Sequence, residues 1–396
     1  MTAQDVDRWF GIGHSTLEDD AAAGSEAVAA AVAGRDAALL LVFCSINHDH
    51  ARLLDAVRGG AGHNVAIVGG TTHGQLVGAT PYPGVGGVLV IAIGGPGLSV
   101  RTQVARTASQ DRRQAGIEVG ACLDGIDRPH RVCLVLADGL IGEQHELVRG
   151  MYSAVGANAP LVGGCTGDDL AYGRTLQFVG DEHGVEVLAD AVVGIGLGSE
   201  GPIGVGIAHG WRKRGEPMLV TDSSDGFLRE LDEEPAYDVY LRRSGLERLP
   251  ADRIGEFPRL AFERPLGLSR RTGEDIRVIH SVNPDTGELR CLADVPQGAL
   301  AWVMETDPES LIMGAKESLM QAVSDLGEAQ PVGVLVFDCG ARRAMLDGVG
   351  LEHEVAAMSS VLGDVPFGGF YTYGEIARTQ GARGMHHLTV VSLALG

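Results

Sequence analysis

The sequence predicts a pseudo-symmetric α/β fold, in which three diverged strand-helix-strand-strand units and one inserted segment form sheets flanked by helices. Three observations predict this class: short apolar runs, a stretch with helical periodicity after each run, and a Gly-Gly pair after each helical stretch. Because this order occurs three times, we expect internal repeats with a common architecture.

The first element of each unit is a buried strand. The apolar runs at residues 37–45, 131–138 and 332–339 are rich in β-branched residues and lack the alternation of a half-exposed strand. Helices are predicted to follow at residues 50–58, 143–155 and 351–362, where apolar residues recur at spacings of three and four.

The next strand of each unit ends in a glycine pair. These pairs are Gly69-Gly70, Gly163-Gly164 and Gly368-Gly369. Paired glycines let the backbone approach a ligand or aim N–H groups at an anion, and they equally permit close packing of strands. Both interpretations stay open. A further strand closes each unit, at residues 87–94, 189–198 and 387–395.

Additional elements surround these units. A strand and a helix precede each unit, at residues 10–15 and 18–33, 98–105 and 109–123, and 299–305 and 308–326. An insert covers residues 201–298, and its Pro284-Asp285-Thr286-Gly287 segment predicts a hairpin turn. We expect two domains: residues 1–200 with two repeats, and residues 201–396 with the insert and the third repeat.

Composition and charge exclude several classes of partner. Of 396 residues, 45% are hydrophobic, which is enough for a large core. The net charge of -21 repels phosphate backbones and anionic lipids, so we expect neither nucleic acid nor membrane as a partner. No apolar run approaches the ~18 residues of a membrane span, and no signal-peptide pattern is present, so we expect a cytoplasmic protein.

The densest group of candidate site residues follows two neighbouring strands of the third unit. These residues are Cys339, Arg342, Arg343, Tyr371, Tyr373, Gly374 and Glu375. Because the ends of neighbouring strands converge, we expect a guanidinium group, a carboxylate and two phenols to line one ligand cleft. The alternative is a structural Arg–Glu pair beneath aromatic packing.

Four further residues complete the predicted ligand-binding set. Gly163, Gly164 and Asp168 belong to the second Gly-Gly turn. His209 precedes Gly210-Trp211, and a glycine beside an aromatic residue suits either a pocket wall or surface packing.

Catalytic and metal-binding residues are not predicted. Cys165 follows a Gly-Gly pair at a strand end, where nearby amides can activate a thiolate, but no His–Asp arrangement accompanies it. The corresponding positions of the other units hold Thr71 and Phe370. The alternate spacing of His48 and His50 suits a metal ion, but no further ligand completes a set, so solvated loop histidines are favoured.

Several of these segments match the pattern of a known family. They are Asp138-Gly139-Leu140, Glu146, residues 160–164, Asp168, Phe178, residues 192–194, His209-Gly210-Trp211, Val220-Thr221, Pro235-Ala236, Cys339, Arg342-Arg343 and residues 369–376. With these motifs the sequence resembles the FIST family from about residue 37 to residue 376, and the last block is the most specific.

The resemblance implies an N-terminal and a C-terminal FIST domain that sense small ligands in intracellular signal transduction, with amino acids proposed as ligands for the family. An amino acid would suit Arg342 for its carboxylate and Glu375 for its ammonium group, covered by Tyr371 and Tyr373. No signalling module accompanies the matched stretch, so we expect the output to pass through a separate signalling protein.

Two alternative functions stay open. Some family members bind haem and report nitric oxide, which requires an axial His, Cys or Tyr in an apolar pocket. Haem is therefore the cofactor to be tested. A cysteine-dependent enzyme would use Cys165 or Cys339 as its nucleophile.

Overall fold

The computed structural model describes residues 8–78, 86–157, 159–270, 273–378 and 384–396. The chain divides into two compact units. The first contains Met1–Ala208, Ile312–Met385 and Val390–Gly396, and the second contains His209–Leu311 and His386–Thr389. Helices and several sheets occur together, so the predicted α/β class, with sheets flanked by helices, is confirmed.

Strands and helices are both present in the first 208 residues. The strands are β1 (Trp9–Ser15), β2 (Ala37–Cys44), β3 (Ala66–Thr71), β4 (Gln75–Val77), β5 (Val88–Gly94), β6 (Leu98–Arg106), β7 (His130–Ala137), β8 (Leu161–Cys165), β9 (Gln177–Asp181), β10 (Gly184–Leu188), β11 (Ala191–Ser199) and β12 (Ile203–Ala208). The helices are α1 (Asp20–Val32), α2 (His50–Gly60), α3 (Arg112–Gly120) and α4 (Gln144–Val155), with a short 3₁₀ helix at Ala121–Leu123.

The rest of the chain begins with a strand-rich segment. Its elements are β13 (Arg212–Ser224), β14 (Phe227–Leu231), β15 (Glu234–Pro235), α5 (Ala236–Ser244), a 3₁₀ helix (Ala251–Glu256), α6 (Phe257–Phe262), β16 (Leu266–Arg270), β17 (Gly273–Arg277), β18 (Ile279–Asn283), β19 (Glu288–Cys291) and β20 (Leu300–Glu305). Then follow α7 (Pro308–Ser324), β21 (Gly333–Cys339), α8 (Gly340–Met345), α9 (Gly348–Leu362), β22 (Phe367–Thr372), β23 (Glu375–Arg378), β24 (Met385–His386) and β25 (Val390–Leu395).

The described residues of the first unit form three sheets, and these sheets share one order of pairing. Their orders are β1-β5-β2-β3-β9-β10, β24-β23-β8-β7-β11-β6 and β12-β25-β21-β22-β4. In each sheet a parallel pair is flanked by antiparallel strands; the parallel pairs are β2 with β3, β7 with β8, and β21 with β22. This likeness concerns strand pairing alone, so duplication of the sequence stays a prediction.

The chain changes sheets after each Gly-Gly strand. After β3 it enters the third sheet, where β4 pairs with β22. After β8 it enters the first sheet, where β9 pairs with β3, and after β22 it enters the second sheet, where β23 pairs with β8. These exchanges bring the turns after the three Gly-Gly strands to one end of the first unit.

One apolar core is shared by the three sheets of the first unit. It includes Phe43, Phe337 and Phe370, and the ring centroids of Phe43 and Phe370 are 4.5 Å apart. Helices α1 and α2 cover the outer face of the first sheet, and α3 and α4 cover that of the second. The inner faces of the three sheets therefore pack against one another in this core.

One glycine of each Gly-Gly pair is required by close strand packing. A methyl group at Gly69, Gly163 or Gly369 would overlap the backbone carbonyl oxygen of the neighbouring parallel strand. Gly369 therefore corresponds to Gly69 and Gly163, and the third pair is displaced by one residue. The residue that corresponds to Cys165 is consequently Tyr371, and the predicted correspondence with Phe370 is wrong.

The described part of the second unit forms one sheet with the order β17-β16-β20-β13-β14-β19-β18, to which β15 adds by pairing with β14. The strand predicted before the third unit, β20, pairs here with β13 and β16. The strand that occupies the corresponding place in the third sheet is β12, which was assigned to the insert. The predicted hairpin is confirmed, with Asn283 opposite Glu288.

Within the described residues, no helix is long and apolar enough to cross a membrane.

Candidate functional site

The three turns that follow β3, β8 and β22 are joined by backbone hydrogen bonds in a cyclic arrangement. The N–H of Gly167 donates to the carbonyl of Thr71 at 2.9 Å, that of Tyr373 to Cys165 at 3.0 Å, and that of His73 to Tyr371 at 3.1 Å. Each turn therefore holds the next one in place. The side chains of the turns meet at this junction.

His73 places a neutral imidazole at the junction. Only 6% of the residue is exposed, and among the described residues its Nδ1 has no hydrogen-bond partner. Burial, followed by the positive charge of Arg343, lowers the pKa of His73 to about 4, although Asp168 acts in the opposite direction. The imidazole is therefore uncharged near neutral pH.

Arg343 lies beside this histidine and over an aromatic ring. Its guanidinium carbon is 5.2 Å from the ring centroid of Tyr371, within the range of a cation–π contact. Tyr371 is 3% exposed, whereas Arg343 is half-buried. Arg343 therefore carries a positive charge at the edge of the junction, against a buried aromatic wall.

Asp169 adds a carboxylate near Arg343. Its Oδ2 accepts a hydrogen bond from Ser45 at 2.6 Å, while its buried Oδ1 has no partner in the part of the chain that the structure describes. Burial raises the pKa of Asp169, and the Ser45 hydroxyl and the charge of Arg343 oppose that rise. An acid and a guanidinium group thus share one half-buried place.

Asp168 organises the turn of residues 168–174. Its carboxylate accepts hydrogen bonds from the Tyr373 hydroxyl at 2.6 Å and from the backbone N–H groups of Tyr172, Gly173 and Arg174 at 2.6–2.9 Å. Burial would raise the pKa of Asp168, but these donors lower it below the ordinary value. Asp168 and Tyr373, both members of the predicted ligand-binding set, therefore meet, and their contact shapes the turn.

The same turn carries backbone strain and an exposed aromatic residue. Asp169, Leu170 and Tyr172 have φ angles of 58°, 64° and 51°, a region that residues other than glycine rarely adopt. Such strain is concentrated at functional sites. The ring of Tyr172 is 62% exposed and stacks on Tyr373 with centroids 5.0 Å apart.

Arg342 has a different environment from its neighbour Arg343. It is fully buried, and its Nε donates to Asp338 at 2.7 Å while its Nη2 donates to Glu354 at 2.8 Å. Burial alone would lower the pKa of Arg342, but the two carboxylates raise it above the ordinary value. The predicted ligand contact of Arg342 stays a prediction, and the geometry gives this residue a structural role.

Glu375 and Gly374 also belong to the interior. Glu375 is fully buried, and its Oε1 accepts a hydrogen bond from Thr372 at 2.6 Å. The carbonyl of Gly374 accepts a hydrogen bond from the N–H of Cys165 at 2.8 Å. A methyl group at Gly164 would lie 2.5 Å from Thr372 Cγ2. Gly163 and Gly164 thus act here through packing.

The cysteine thiols are poorly placed for nucleophilic attack. Cys165 is fully buried, and burial, together with the charges of Glu375 and Asp138, raises its pKa. Cys339 ends β21 and is 5% exposed. The nucleophile assignment of Cys165 therefore conflicts with its buried, protonated state.

The histidines that were considered for a metal have other partners. His48 Nδ1 is 2.7 Å from Asp20 Oδ1, and His50 is buried against Phe178, with ring centroids 5.5 Å apart. The expectation that His50 is a solvated loop residue is wrong, because it begins α2 and packs inward. Among the described residues, no group of three His, Cys, Asp or Glu side chains is arranged for a metal.

His209 lies in the second unit. Its Nδ1 accepts a hydrogen bond from the N–H of Trp211 at 2.9 Å, and the indole of Trp211 donates to Leu388 at 3.2 Å. Gly210 between them has a φ of 75°. The histidine therefore closes a tight turn before β13.

His73 and Asp169 were absent from the predicted site. Both lie three to five residues beyond a Gly-Gly pair, in turns whose neighbours Thr71 and Asp168 were already considered. Their position after the glycines was the available signal. His73 and Asp169 come together because the chain passes from one sheet to another after each Gly-Gly strand. The sequence does not show this passage between sheets.

Models of two domains of one protein family match most of the chain. A model of the FIST N domain matches residues 38–234, and a model of the FIST C domain matches residues 236–378. Uncharacterized proteins of Mycobacterium tuberculosis are 27% identical over 403 residues, covering 98% of this chain and 99% of theirs. An uncharacterized protein of Mycobacterium bovis is 26% identical over 244 residues, which cover 59% of this chain and 60% of its own.

A solved structure also aligns with most of the chain. It is a cyanuric acid hydrolase from A. caulinodans, which aligns with 98% of this chain and 99% of its own length, at 12% identity and a TM-score of 0.37.

The two family matches meet near residue 235, and the predicted domain boundary near residue 200 stays a prediction.

Proposed function

Since this chain belongs to the FIST family, whose domains are sensory domains in signal transduction, we propose that it senses a zwitterionic metabolite of the amino-acid type. The proposed binding place, here called the junction site, consists of His73, Asp169, Arg343 and Tyr371. The observation that carries the proposal is the presence of two buried polar atoms without partners among the described residues, Nδ1 of His73 and Oδ1 of Asp169, near the charge of Arg343.

The charges of the junction site match the two ends of an amino acid. Arg343 presents a planar fork of donors, which suits a carboxylate, and Asp169 presents an acceptor, which suits an ammonium group. These two residues take the roles predicted for Arg342 and Glu375, because Arg342 is bound to Asp338 and Glu354, and Glu375 accepts a hydrogen bond from Thr372.

Hydrogen bonding and aromatic contact complete the proposed site. The Nδ1 atom of His73 and the Oδ1 atom of Asp169 are buried, and buried polar atoms without partners are rare in folded proteins. A ligand with hydrogen-bond donors and acceptors would satisfy them. The ring of Tyr371 offers an apolar surface to the ligand body.

A thermal-shift screen tests this proposal. The purified protein is melted with each of the common L-amino acids, and we expect at least one of them to raise Tm in a saturable way. The Arg343→Gln variant should lose that rise, while the control Arg113→Gln, at an exposed arginine of the same unit, should keep it. Absence of any rise, or an equal rise in Arg343→Gln, would overturn the proposal.

The haem alternative and the signalling partner stay predictions. Haem requires an axial ligand, and a titration with haemin gives a sharp, stoichiometric Soret band only where such a site exists. A separate signalling protein would read the ligand-bound state, and co-purification with and without an amino acid that raises Tm tests for it.

A further inference from the structure

Three polar side chains occupy matching positions on the strands that follow the turns. Gln75 lies opposite Phe370, Gln177 lies opposite Gly70, and Glu375 lies opposite Gly164. At most 1% of each of these three residues is exposed. They are polar groups at the same level of three different sheets.

All three side chains point towards the shared core. Residues directly opposite in an antiparallel pair lie on the same face of the sheet. Gln75 is therefore on the face of Phe370, whose ring packs against Phe43 and Phe337. Glu375 is on the face where a methyl group at Gly164 would lie 3.3 Å from the ring of Phe337.

Each side chain is bound to the threonine of its own turn. Gln75 Nε2 donates to Thr72 at 3.0 Å, Gln177 Nε2 donates to Thr166 at 2.7 Å, and Thr372 donates to Glu375 Oε1 at 2.6 Å. These six residues form a group that we call the inner polar ring. The inner polar ring therefore contains three threonine pairs. The partner is glutamine in two of them and the carboxylate of Glu375 in the third.

Hydrogen bonding fixes which atom of Gln177 points away from its threonine. The hydroxyl of Thr166 donates its proton to the carbonyl of Ala137 at 3.1 Å, so it accepts the amide N–H of Gln177. The Oε1 atom then faces elsewhere. Among the described residues, Oε1 of Gln177 and Oε1 of Gln75 are buried and have no hydrogen-bond partner.

We propose that the inner polar ring binds one monovalent alkali cation, K⁺ or Na⁺, through Gln75 Oε1, Gln177 Oε1 and the Glu375 carboxylate. The ligands are all oxygen atoms, which hard cations prefer. A single carboxylate among neutral donors matches the single positive charge of K⁺ or Na⁺.

Thermal unfolding under different chlorides tests the proposal. The protein is transferred into choline chloride and melted with increasing KCl, NaCl, MgCl₂ or CaCl₂ at constant ionic strength. We expect K⁺ or Na⁺ to raise Tm in a saturable way by at least about 2 °C, because a ligand that binds only the folded state stabilises it. Equal Tm values in choline, K⁺ and Na⁺ would overturn the proposal, as would a response to divalent ions alone. A buried water would give no dependence on the cation.

A charge variant and its matched control assign the effect to the ring. Glu375→Gln makes the third position the same as the other two, and it should lose the cation-dependent rise. Glu352→Gln makes the same change at an exposed residue of α9 and should keep it. A rise retained in Glu375→Gln would overturn the proposal. If this variant does not fold, crystals of the natural protein are grown in rubidium chloride, so that Rb⁺ takes the place of the bound cation. We expect an anomalous peak from Rb⁺ beside Gln75 and Gln177. Absence of that peak would overturn the proposal.

Discussion

Arg342 donates from Nη2 to Oε1 of Glu354 at 2.8 Å, and neither side chain is exposed to solvent. Asp338 accepts from the same guanidinium group at 2.7 Å. Breaking a buried ion pair by removing one partner leaves a charge without compensation, which costs far more than the pair contributes.

The first prediction concerns this buried pair. Arg342→Met should lower the free energy of unfolding by about 3–5 kcal/mol, because Asp338 and Glu354 remain buried without their cation. Urea denaturation measures the change, and Arg113→Met serves as an exposed control of the same unit. A loss below about 1 kcal/mol, the range of surface pairs, would contradict the structural role of Arg342.

The second prediction gives the sign of a pH dependence. The pKa of His73 is about 4 in the folded protein, lowered by burial and by the charge of Arg343, and an unfolded histidine has a pKa of about 6.5. Between these values the unfolded chain binds a proton that the folded chain does not. The contribution to stability is therefore full above the unfolded pKa, and it falls by up to about 1.4 kcal/mol per pH unit as the solution becomes more acidic.

Urea denaturation of the natural protein and of His73→Gln isolates this histidine from the others. Between about pH 7 and pH 5, the natural protein should lose more stability than the variant, because glutamine does not take up the proton. Parallel losses in the two proteins would show that His73 is not held neutral by the fold.

The third prediction concerns the glycine pairs. Gly163→Ala should destabilise the protein by about 1–3 kcal/mol or more, because the new methyl group overlaps the carbonyl oxygen of Val135. Gly59→Ala is the matched control, since Gly59 lies in α2 and a methyl group there meets open space. The control should gain about 0.5–1 kcal/mol from helix propensity. Equal effects of the two substitutions on the urea midpoint would contradict the packing role.

The fourth prediction concerns the turn of residues 168–174. Tyr373→Phe removes the hydroxyl that donates to Asp168 at 2.6 Å and accepts the N–H of Leu170 at 2.7 Å. A loss of about 1–3 kcal/mol is expected, since one of these bonds involves a charged group. Hydrogen exchange should increase at the amides of Leu170, Tyr172 and Gly173. Unchanged exchange at these amides would show that Tyr373 does not hold the turn.

The strands were predictable because their residues are uniformly apolar. Thus the run at residues 37–45 became β2 and that at residues 332–339 became β21, with small changes at the ends. The connection of the sheets was not predictable, because β3 and β4 are separated by three residues and yet belong to different sheets. The partner of β4 is β22, roughly 300 residues later in the chain, and such a distant pairing leaves no pattern in the residues around β4.

The different fates of Arg342 and Arg343 show the same limit at the site. Both were expected at the end of a strand, but they lie on the short helix α8, where successive side chains point in directions about 100° apart. Arg342 consequently turns inward to Asp338 and Glu354, and Arg343 turns towards Tyr371. The sequence identified the segment, and only the helical geometry separated the two roles.

The junction site is tested most directly by calorimetric titration with chemically modified ligands. An L-amino acid that raises Tm is compared with its methyl ester, which lacks the carboxylate charge, in the natural protein and in Arg343→Gln. If Arg343 binds the carboxylate, the ester loses affinity for the natural protein, and Arg343→Gln causes little further loss for the ester. Additive losses from the ester and from the substitution, or an ester that binds as tightly as the free acid, would contradict the account.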